Sequence, residues 1–259
     1  MRIITGAIVT RLRSLAIILA LFLLWELACH AFSVSQLVLP APSAIAVTLY
    51  QRFGALWPHL AQTVFTTLVG FWLSLVFGVV LGGLVGTSRL AYEAIYPLLV
   101  GISSIPKVAL IPVFVVWMGA GTGPAILTAF VISVFPVVVN VATGLATTEP
   151  ELEDVLKALG ASKFDILWNV GLPRTLPYLF AAMKVAITVA FIGSITAETI
   201  AANRGIGNAM LIASSSFNMP LVFAALFLVS LTGVLFYLLF SYLENRFTRW
   251  ATRGREPFA

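Results

Sequence analysis

Apolar residues occur along the chain in long runs, separated by shorter stretches that hold most of the charged residues. Each run is roughly twenty residues long, which as an α-helix is enough to cross the ~30 Å hydrocarbon core of a bilayer. The runs lack the alternating apolar and polar positions of a membrane β-barrel strand. The pattern therefore predicts an all-α polytopic membrane protein with six transmembrane helices, at approximately residues 14–32, 62–86, 95–118, 124–146, 175–198 and 221–243.

The composition agrees with this pattern and excludes several classes of protein. Of 259 residues, 60% are hydrophobic and 10% are charged, whereas a soluble domain has roughly 25% charged residues. We therefore expect the lipid bilayer, and not nucleic acid, to be the partner of this surface, despite the net charge of +5. One cysteine, Cys29, excludes a disulfide framework and a multi-cysteine metal site. The sequence also lacks an HExxH motif, a catalytic cysteine–histidine pair set in a polar motif, and an acidic metal cluster, which argues against a membrane enzyme.

The basic residues are distributed unevenly between the two sides of the predicted membrane. Eleven fall on one side of the six-span arrangement and only Arg52 and Arg204 fall in loops on the other. Because basic loops remain in the cytoplasm, we predict that both termini are cytoplasmic, in agreement with the even number of spans. The eleven are Arg2, Arg11, Arg13, Arg89, Lys157, Lys163, Arg174, Arg246, Arg249, Arg253 and Arg255.

Proline marks two further features of the chain. The stretch Leu39-Pro40-Ala41-Pro42-Ser43 predicts a helix start, and the apolar positions of residues 44–53 repeat every fourth residue. We predict a short helix on the outer membrane surface, with a plain linker as the alternative. The third span contains Pro97, Pro106 and Pro112, which are predicted to deform it.

The second span carries a stripe of small residues, Gly78-x3-Gly82-x3-Gly86. Glycine at this spacing lets two helix backbones approach closely. The stripe therefore predicts a helix contact and says nothing about transport. The chain shows no internal repeat, so the sequence does not support an inverted-repeat transporter.

The stretch from Thr147 to Arg174 is the least apolar part of the chain, and we predict that it is a cytoplasmic loop. Its first half predicts a short amphipathic helix with one apolar stripe. Gly160 is suited to end this helix in the left-handed conformation. The stripe consists of Leu152, Val155, Leu156 and Leu159.

The second half of the loop predicts another short helix. Ser162 and Asp165 have the spacing of a helix N-cap, Phe164 and Trp168 are four residues apart on one face, and Pro173 is predicted to end the helix. The apolar faces of the two helices pack either on the cytoplasmic ends of the chain's own spans or on a partner. The pattern alone leaves both possibilities open.

This loop resembles the cytoplasmic signature of bacterial ABC importer permeases, Glu-Ala-Ala-x3-Gly-x9-Ile-x-Leu-Pro. Here the same spacing reads Asp154-Val155-Leu156, Gly160 and Val170-Gly171-Leu172-Pro173. The glycine and the Leu-Pro pair are kept, whereas the Glu-Ala-Ala triplet and the isoleucine are replaced. The resemblance implies that the ATPase contacts a coupling loop at about 147–174, with candidate residues Asp154, Val155, Leu156, Gly160, Ala161, Ser162, Phe164, Trp168, Val170, Leu172 and Pro173.

The resemblance extends over nearly the whole chain and is strongest to the nitrate/sulfonate/taurine branch of that family, which also includes permeases for thiamine-precursor pyrimidines and aromatic acids. The matching motifs are Leu39-Pro40-Ala41-Pro42-Ser43, Ile105-Pro106-Lys107-Val108-Ala109-Leu110-Ile111-Pro112, Trp117-Met118-Gly119-Ala120-Gly121, Ala197-Glu198, Gly205-Ile206-Gly207, and Leu243-Glu244-Asn245-Arg246 with Trp250. The family implies a type I importer permease of the bacterial inner membrane. It also implies a single permease domain over residues 1–259.

The resemblance further implies a division of labour between subunits. None of the lysines follows a glycine as a phosphate-binding loop requires, so we expect no cofactor in this chain and no ATPase activity of its own. ATP and Mg²⁺ are expected to bind to a dimer of separate ATPase subunits. The expected coupling helix lies around Ala161–Asn169. The other expected partners are an extracytoplasmic solute-binding protein and a second permease copy.

Ionisable groups within spans are functional candidates because they are costly in hydrocarbon. Lys107 is predicted either to line the pore for an anionic solute or to bond carbonyls freed by the prolines. Lys184 is expected to extend to the cytoplasmic interface. Glu198 is expected either to gate the pore or to hold the loop that follows it. Asn140 is a candidate for the solute path or for a bond between helices, and Glu26 for a helix contact in the first span.

The predicted function is translocation of a small solute, with an anion such as nitrate, a sulfonate or taurine placed first. The alternative is a thiamine-precursor pyrimidine or an aromatic acid carried by the same architecture. A lower alternative is a secondary transporter that needs no ATP. The predicted coupling loop argues against that alternative, because a secondary transporter has no ATPase to dock.

Overall fold

A computed structural model of the chain describes residues 2–147, 150–248 and 250. Over these residues the regular structure is helical and contains no strand. The helices are α1 Arg2–Ala31, α2 Pro42–Gly86, α3 Arg89–Ser103, α4 Ile111–Met118, α5 Thr122–Ala146, α6 Pro150–Ala158, α7 Lys163–Ile166, α8 Leu172–Ala201, α9 Ile206–Ser215 and α10 Met219–Phe247. A 3₁₀ turn, Lys107–Leu110, precedes α4, and a π turn, Leu167–Gly171, joins α7 to α8.

The chain forms two compact units. One consists of Met1–Pro58 and Ala209–Leu228, and the other of His59–Asn208 and Val229–Ala259. The larger unit holds the main apolar core, together with the residues that the sequence predicts for the coupling loop and the solute path.

Within the described residues, four continuous helical stretches are long and apolar enough to cross a membrane: Pro42–Gly86, Thr122–Ala146, Phe164–Ala201 and Met219–Phe247. The pair Arg89–Ser103 and Lys107–Met118 makes a fifth if it is counted as one broken span. Ala16–Ala31 is a shorter apolar helix. The all-α membrane class is therefore confirmed, while the count of six spans and the cytoplasmic position of the termini stay predictions.

The third predicted span is broken, as its prolines predict. Its two helical parts are bent by 73° relative to each other. Pro106 precedes the 3₁₀ turn in an extended conformation, and Pro112 lies in the first turn of α4, where its missing N–H breaks no helical hydrogen bond. Pro97 lies within α3 without ending it.

The glycine stripe of α2 lies directly against α5. A Cβ atom at Gly78 would come within 2.6 Å of the Val137 side chain, and one at Gly82 within 2.7 Å of the Val138 carbonyl oxygen. The two backbones are therefore in contact, as the stripe predicts. Beside this contact the core of the larger unit is filled from α2, α5, α8 and α10, with Phe71, Val137, Ile187 and Phe240 among its buried residues.

One prediction about these helices is wrong, and one helix was not predicted. The predicted surface helix at 44–53 is not separate, because α2 runs without interruption from Pro42 to Gly86 and contains Pro58. A proline inside a helix removes one hydrogen bond, and here that loss does not end the helix. Helix α9 was not predicted, since its ten residues are too few for a span.

Candidate functional site

The predicted coupling loop begins with the helix α6. Gly160 follows it with a φ of +85°, a backbone conformation that only glycine adopts without strain. The Gly160 N–H donates to the Lys157 carbonyl oxygen at 2.9 Å, and the Ala161 N–H donates to that of Leu156 at 3.0 Å. These bonds satisfy the last carbonyls of α6, so the predicted helix end at Gly160 is confirmed.

The second helix of the loop begins with a reciprocal cap. The Ser162 N–H donates to Asp165 Oδ2 at 2.9 Å and the Ser162 hydroxyl donates to the same oxygen at 2.5 Å. In return, the Asp165 N–H donates to Ser162 Oγ at 3.2 Å. The cap predicted from the spacing of Ser162 and Asp165 is therefore present.

Pro173 does not end this helix, contrary to the prediction. The helix widens into the π turn, in which the Leu172 N–H donates to the Leu167 carbonyl oxygen five residues back, and it then continues as α8. Proline has no N–H and crowds the carbonyl four residues before it. A π turn ahead of Pro173 avoids that conflict, because the register of hydrogen bonds shifts by one residue there.

The apolar side chains of the loop divide into buried and exposed groups. Ile166 is buried and Leu156 is half-buried, so part of the loop packs on its own chain. Phe164 and Trp168 stack with ring centroids 6.1 Å apart, yet they are 68% and 63% exposed. Val155 and Leu159, on α6 and just after it, are exposed as well.

The end of the loop lies beside an open apolar groove. Trp168, Leu172 and Pro173 line this groove together with Val79 of α2 and Val141 of α5. Val170 is half-buried, whereas Asp154 is exposed and lies 3.4 Å from Lys157 Nζ. The loop is thus joined to the two helices that the glycine stripe packs together.

Lys107 lies at the break in the third predicted span. Its Nζ donates to the Ser103 carbonyl oxygen at 2.6 Å and to that of Ile105 at 3.4 Å, and lies 4.8 Å from the centre of the Phe135 ring. Carbonyls at the end of α3 have no helical donors, and the ammonium group supplies one. This geometry favours the structural role over the pore-lining role.

Two other polar candidates bond within the protein. Asn140 Nδ2 donates to the Pro136 carbonyl oxygen at 2.8 Å, inside its own helix α5. Lys184 Nζ lies 2.5 Å from Glu244 Oε2, with both side chains largely buried. Lys184 therefore forms an ion pair between α8 and α10, and its extension to the cytoplasmic interface stays a prediction.

Glu26 makes a contact between helices, as expected for the first span. Its carboxylate accepts from the Ser43 N–H at 2.9 Å and from the Ser43 hydroxyl at 2.6 Å. It also lies 3.0 Å from His30 Nε2. A carboxylate at this place compensates the free N–H groups at the start of α2.

Glu198 near the end of α8 is 1% exposed. Its Oε2 accepts from the Thr63 hydroxyl at 2.6 Å and from the Gly207 N–H at 3.3 Å, and its Oε1 accepts from the Thr66 hydroxyl at 3.2 Å. The bond from Gly207 corresponds to the second of its two predicted roles, that of holding the following loop.

The sequence did not predict the partners of Glu198. Thr63 and Thr66 lie within the predicted second span without a predicted role, and His59 and Ser194 have none either. The available signal was spacing: Ser194 and Glu198 are one turn apart on α8, and Thr63 and Thr66 share a face of α2. Among the described residues, no cluster of three or more histidine, cysteine or acidic side chains could hold a metal ion.

A family model described as "Binding-protein-dependent transport system inner membrane component" matches residues 74–249, which is more than half of the chain. The chain belongs to this family. It is therefore a transmembrane permease component of an ABC importer in the bacterial inner membrane, where ATP hydrolysis is done by a separate ATPase.

Curated relatives align over nearly the full chain. The formylaminopyrimidine transport permease protein ThiX of Halalkalibacterium halodurans is 31% identical over 90% of this chain and 93% of its own length. The nitrate import permease protein NrtB of Leptolyngbya laminosa is 27% identical over 93% of this chain and 91% of its own. Further relatives are named for taurine and aliphatic sulfonates, which confirms the predicted branch.

A solved structure shares the fold. The MetNI methionine ABC transporter in an inward-facing conformation contains a chain that superimposes with a TM-score of 0.65 and 21% sequence identity. The match covers 75% of this chain and 98% of that one. The likeness supports the predicted all-α fold.

Proposed function

We propose that this chain works as a homodimeric permease in which residues 147–174 of each copy dock on one subunit of an ATPase dimer. A solute-binding protein delivers the solute on the opposite side of the membrane. ATP and Mg²⁺ bind to the ATPase, and residues 1–259 act as one permease domain without a cofactor of their own.

The observation that carries the docking proposal is the uncovered apolar surface of the loop. Val155, Leu159, Phe164 and Trp168 remain exposed although the adjacent Ile166 is buried. Burial of apolar side chains by a partner is favourable, by roughly 1.5–3 kcal/mol for each one fully removed from water. The glycine end of α6 and the cap at Ser162 fix the two short helices that carry this surface.

For the solute we favour a small pyrimidine-like molecule, the alternative among the predicted substrates. The relative ThiX is named for formylaminopyrimidine transport. The ammonium group of Lys107, on which the anion hypothesis relied, is already bonded to the carbonyls of Ser103 and Ile105. A neutral heterocycle needs no free cation on its path.

An inorganic or organic anion is the second candidate. Relatives named for nitrate, taurine and sulfonates support it. It requires that Lys107 leaves its carbonyl partners during transport and faces the solute.

Uptake into proteoliposomes decides between the two solutes. The permease is reconstituted with the ATPase and the binding protein that co-purify with it. Labelled formylaminopyrimidine and the binding protein are supplied outside vesicles that contain ATP, and vesicles without ATP are the control. We expect saturable, ATP-dependent uptake that a large excess of nitrate or taurine does not reduce. Uptake of labelled nitrate or taurine in its place would establish the anion, and no ATP-dependent uptake of any of them would refute the substrate proposal.

Docking is tested in the same complex. Phe164→Ala removes an exposed aromatic side chain from the loop and should lower the amount of ATPase that co-purifies. Leu90→Ala removes an exposed apolar side chain from α3 and is the matched control. Equal recovery of ATPase with both variants would contradict the docking surface.

A further inference from the structure

One buried carboxylate holds the connection between α8 and α9 against α2. Residues 202–205 form this connection. The Ile206 N–H at its far end donates to Thr63 Oγ1 at 2.8 Å, and the Thr63 hydroxyl donates to Glu198 Oε2 at 2.6 Å. Through these two hydrogen bonds, Thr63 links the start of α9 to the end of α8.

The groups that face Glu198 in the described part of the chain are hydrogen-bond donors. The hydroxyls of Thr63 and Thr66 and the N–H of Gly207 point to its two oxygens. Ser194 Oγ lies 2.5 Å from Thr66 Oγ1 and extends the network. A hydroxyl-rich pocket of this kind satisfies the acceptor oxygens of a buried carboxylate, which would otherwise be costly in the membrane.

The backbone is shaped to fit this carboxylate. Gly205 has a φ of +114°, and a Cβ atom there would overlap the carboxyl group of Glu198. A Cβ at Gly207 would overlap the Ile195 carbonyl oxygen. His59 also contacts the connection: its Nδ1 lies 3.3 Å from the Gly205 backbone nitrogen and 3.2 Å from the Gly205 carbonyl oxygen.

Only the tip of the connection is open to its surroundings. Asn203 and Arg204 are exposed, whereas Ala202 and Gly205 on either side of them are buried. Asn208 Nδ2 donates to the Ala202 carbonyl oxygen at 2.7 Å and closes the turn from within. The connection is therefore fastened at both ends.

From this geometry we propose that Glu198 is a positioning residue for translocation. By accepting from Thr63, Thr66 and Gly207, its carboxylate fixes the α8–α9 connection to α2. The three segments then move together when the ATPase drives the permease. The consequence for transport rests on the proposed function, whereas the attachment of the connection to α2 by these hydrogen bonds does not.

Glutamine is the substitution that separates hydrogen bonding from charge. In Glu198→Gln, the carbonyl oxygen of the new side chain can accept from Thr63 and Gly207. Its amide can donate to Thr66 Oγ1, because the Thr66 hydroxyl has the carbonyl oxygens of Gln62 and Thr63 within 3.2 Å as other acceptors. Glu198→Leu has a similar volume and keeps none of these bonds.

Cysteine labelling of the detergent-solubilised complex tests the fastening without any transport. In a Cys29→Ser background the chain has no other cysteine, so a thiol placed at Ala202 reports burial and one at Asn203 serves as the exposed control. Glu198→Leu and Thr63→Val should each raise the maleimide reaction rate at position 202 about tenfold, because the connection opens more often when its bonds are lost. Glu198→Gln, and Thr188→Val on the exposed face of α8, should leave this rate within about twofold.

The transport readout is the amount of formylaminopyrimidine taken up per ATP hydrolysed. Glu198→Leu should lower this ratio about tenfold, an ordinary size for a lost coupling energy, while complex yield and ATP hydrolysis stay near those of the unmodified complex. Glu198→Gln should restore the ratio. Loss of the complex together with its ATPase activity in Glu198→Leu would show a merely structural residue and overturn the proposal.

Two other results would also overturn it. One is an unchanged labelling rate at position 202 in both Glu198→Leu and Thr63→Val. The other is an equal loss of coupling in Glu198→Gln and Glu198→Leu, which would assign the effect to charge. If the unmodified complex shows no ATP-dependent uptake, the proposed function fails, and the labelling rates still decide whether the connection is fastened by Glu198.

Discussion

Lys184 on α8 and Glu244 on α10 form an ion pair in which Nζ and Oε2 are 2.5 Å apart. The two residues are 60 positions apart in the sequence, and their side chains are only 21% and 23% exposed. Because a charge left alone in such surroundings is costly, each member of the pair depends on the other. The pair joins the helix that follows the loop to the last long helix of the chain.

Breaking this pair should destabilise the protein. We expect Lys184→Met or Glu244→Gln to lower the free energy of unfolding by about 2 kcal/mol, the range for hydrogen bonds to charged groups. The double reversal Lys184→Glu with Glu244→Lys should regain most of the loss. Thermal unfolding of the purified permease in detergent measures both effects. Arg89→Met, which removes an exposed pair with Glu93, is the control and should change little.

Gly82 tests the contact between α2 and α5. Gly82→Ala places a Cβ within 2.7 Å of the Val138 carbonyl oxygen, and should destabilise the protein by about 1–3 kcal/mol through overpacking. Gly83→Ala, one residue away, meets nothing within 4 Å and should be neutral or slightly stabilising. Equal melting temperatures for the two variants would contradict the backbone contact.

Gly160 tests the shape of the coupling loop. At its φ of +85° a β-branched residue costs about 1–2 kcal/mol, so Gly160→Val should abolish ATP-coupled uptake while insertion into the membrane is retained. Gly160→Asn is the matched control, since asparagine tolerates this conformation best among residues with a side chain. Normal uptake by Gly160→Val would show that the loop does not couple ATP hydrolysis to transport.

Lys107→Met tests whether this lysine serves the helix break or the solute. Since its Nζ bonds the carbonyls of Ser103 and Ile105, we expect lower thermal stability, by about 1–3 kcal/mol, together with weaker assembly. Lys107→Arg keeps donors in reach and should be milder. Loss of uptake with full stability and full ATPase activity would instead support a solute-facing lysine and an anionic solute.

A reporter fused to the C-terminus tests the predicted topology. Alkaline phosphatase, which is active only outside the cytoplasm, should be inactive there, whereas a fluorescent protein at the same place should fluoresce. The prediction rests on the excess of basic residues on one side of the six spans. Phosphatase activity at the C-terminus would overturn it.

Features set by neighbours in the sequence were predictable. The end of α6 at Gly160, the cap of Ser162 and Asp165, and the broken third span all depend on residues within one or two turns. The stripe from Gly78 to Gly86 was also readable, because its spacing is a property of a single helix.

Features set by distant residues were not. The network around Glu198 joins α2 to the end of α8 across more than 130 positions, and the pair of Lys184 and Glu244 spans 60. Spacing places Ser194 beside Glu198 on α8 and Thr63 beside Thr66 on α2, but it does not show that these two helices, or α8 and α10, meet. The prediction that Pro173 ends a helix was wrong, because the π turn ahead of it accommodates the missing N–H.

The contact between α2 and α5 also has a mechanical consequence. Helix α5 ends at Ala146, immediately before the loop, and the loop continues through the π turn into α8, so a force applied to the loop reaches both α5 and α8. Along Gly70, Gly78, Gly82 and Gly86 the α2 backbone lies directly on α5, with no layer of long side chains between them to change rotamer and absorb the displacement. We therefore expect α2 to move together with α5, and deformation to occur in the bent third span and at the helix ends.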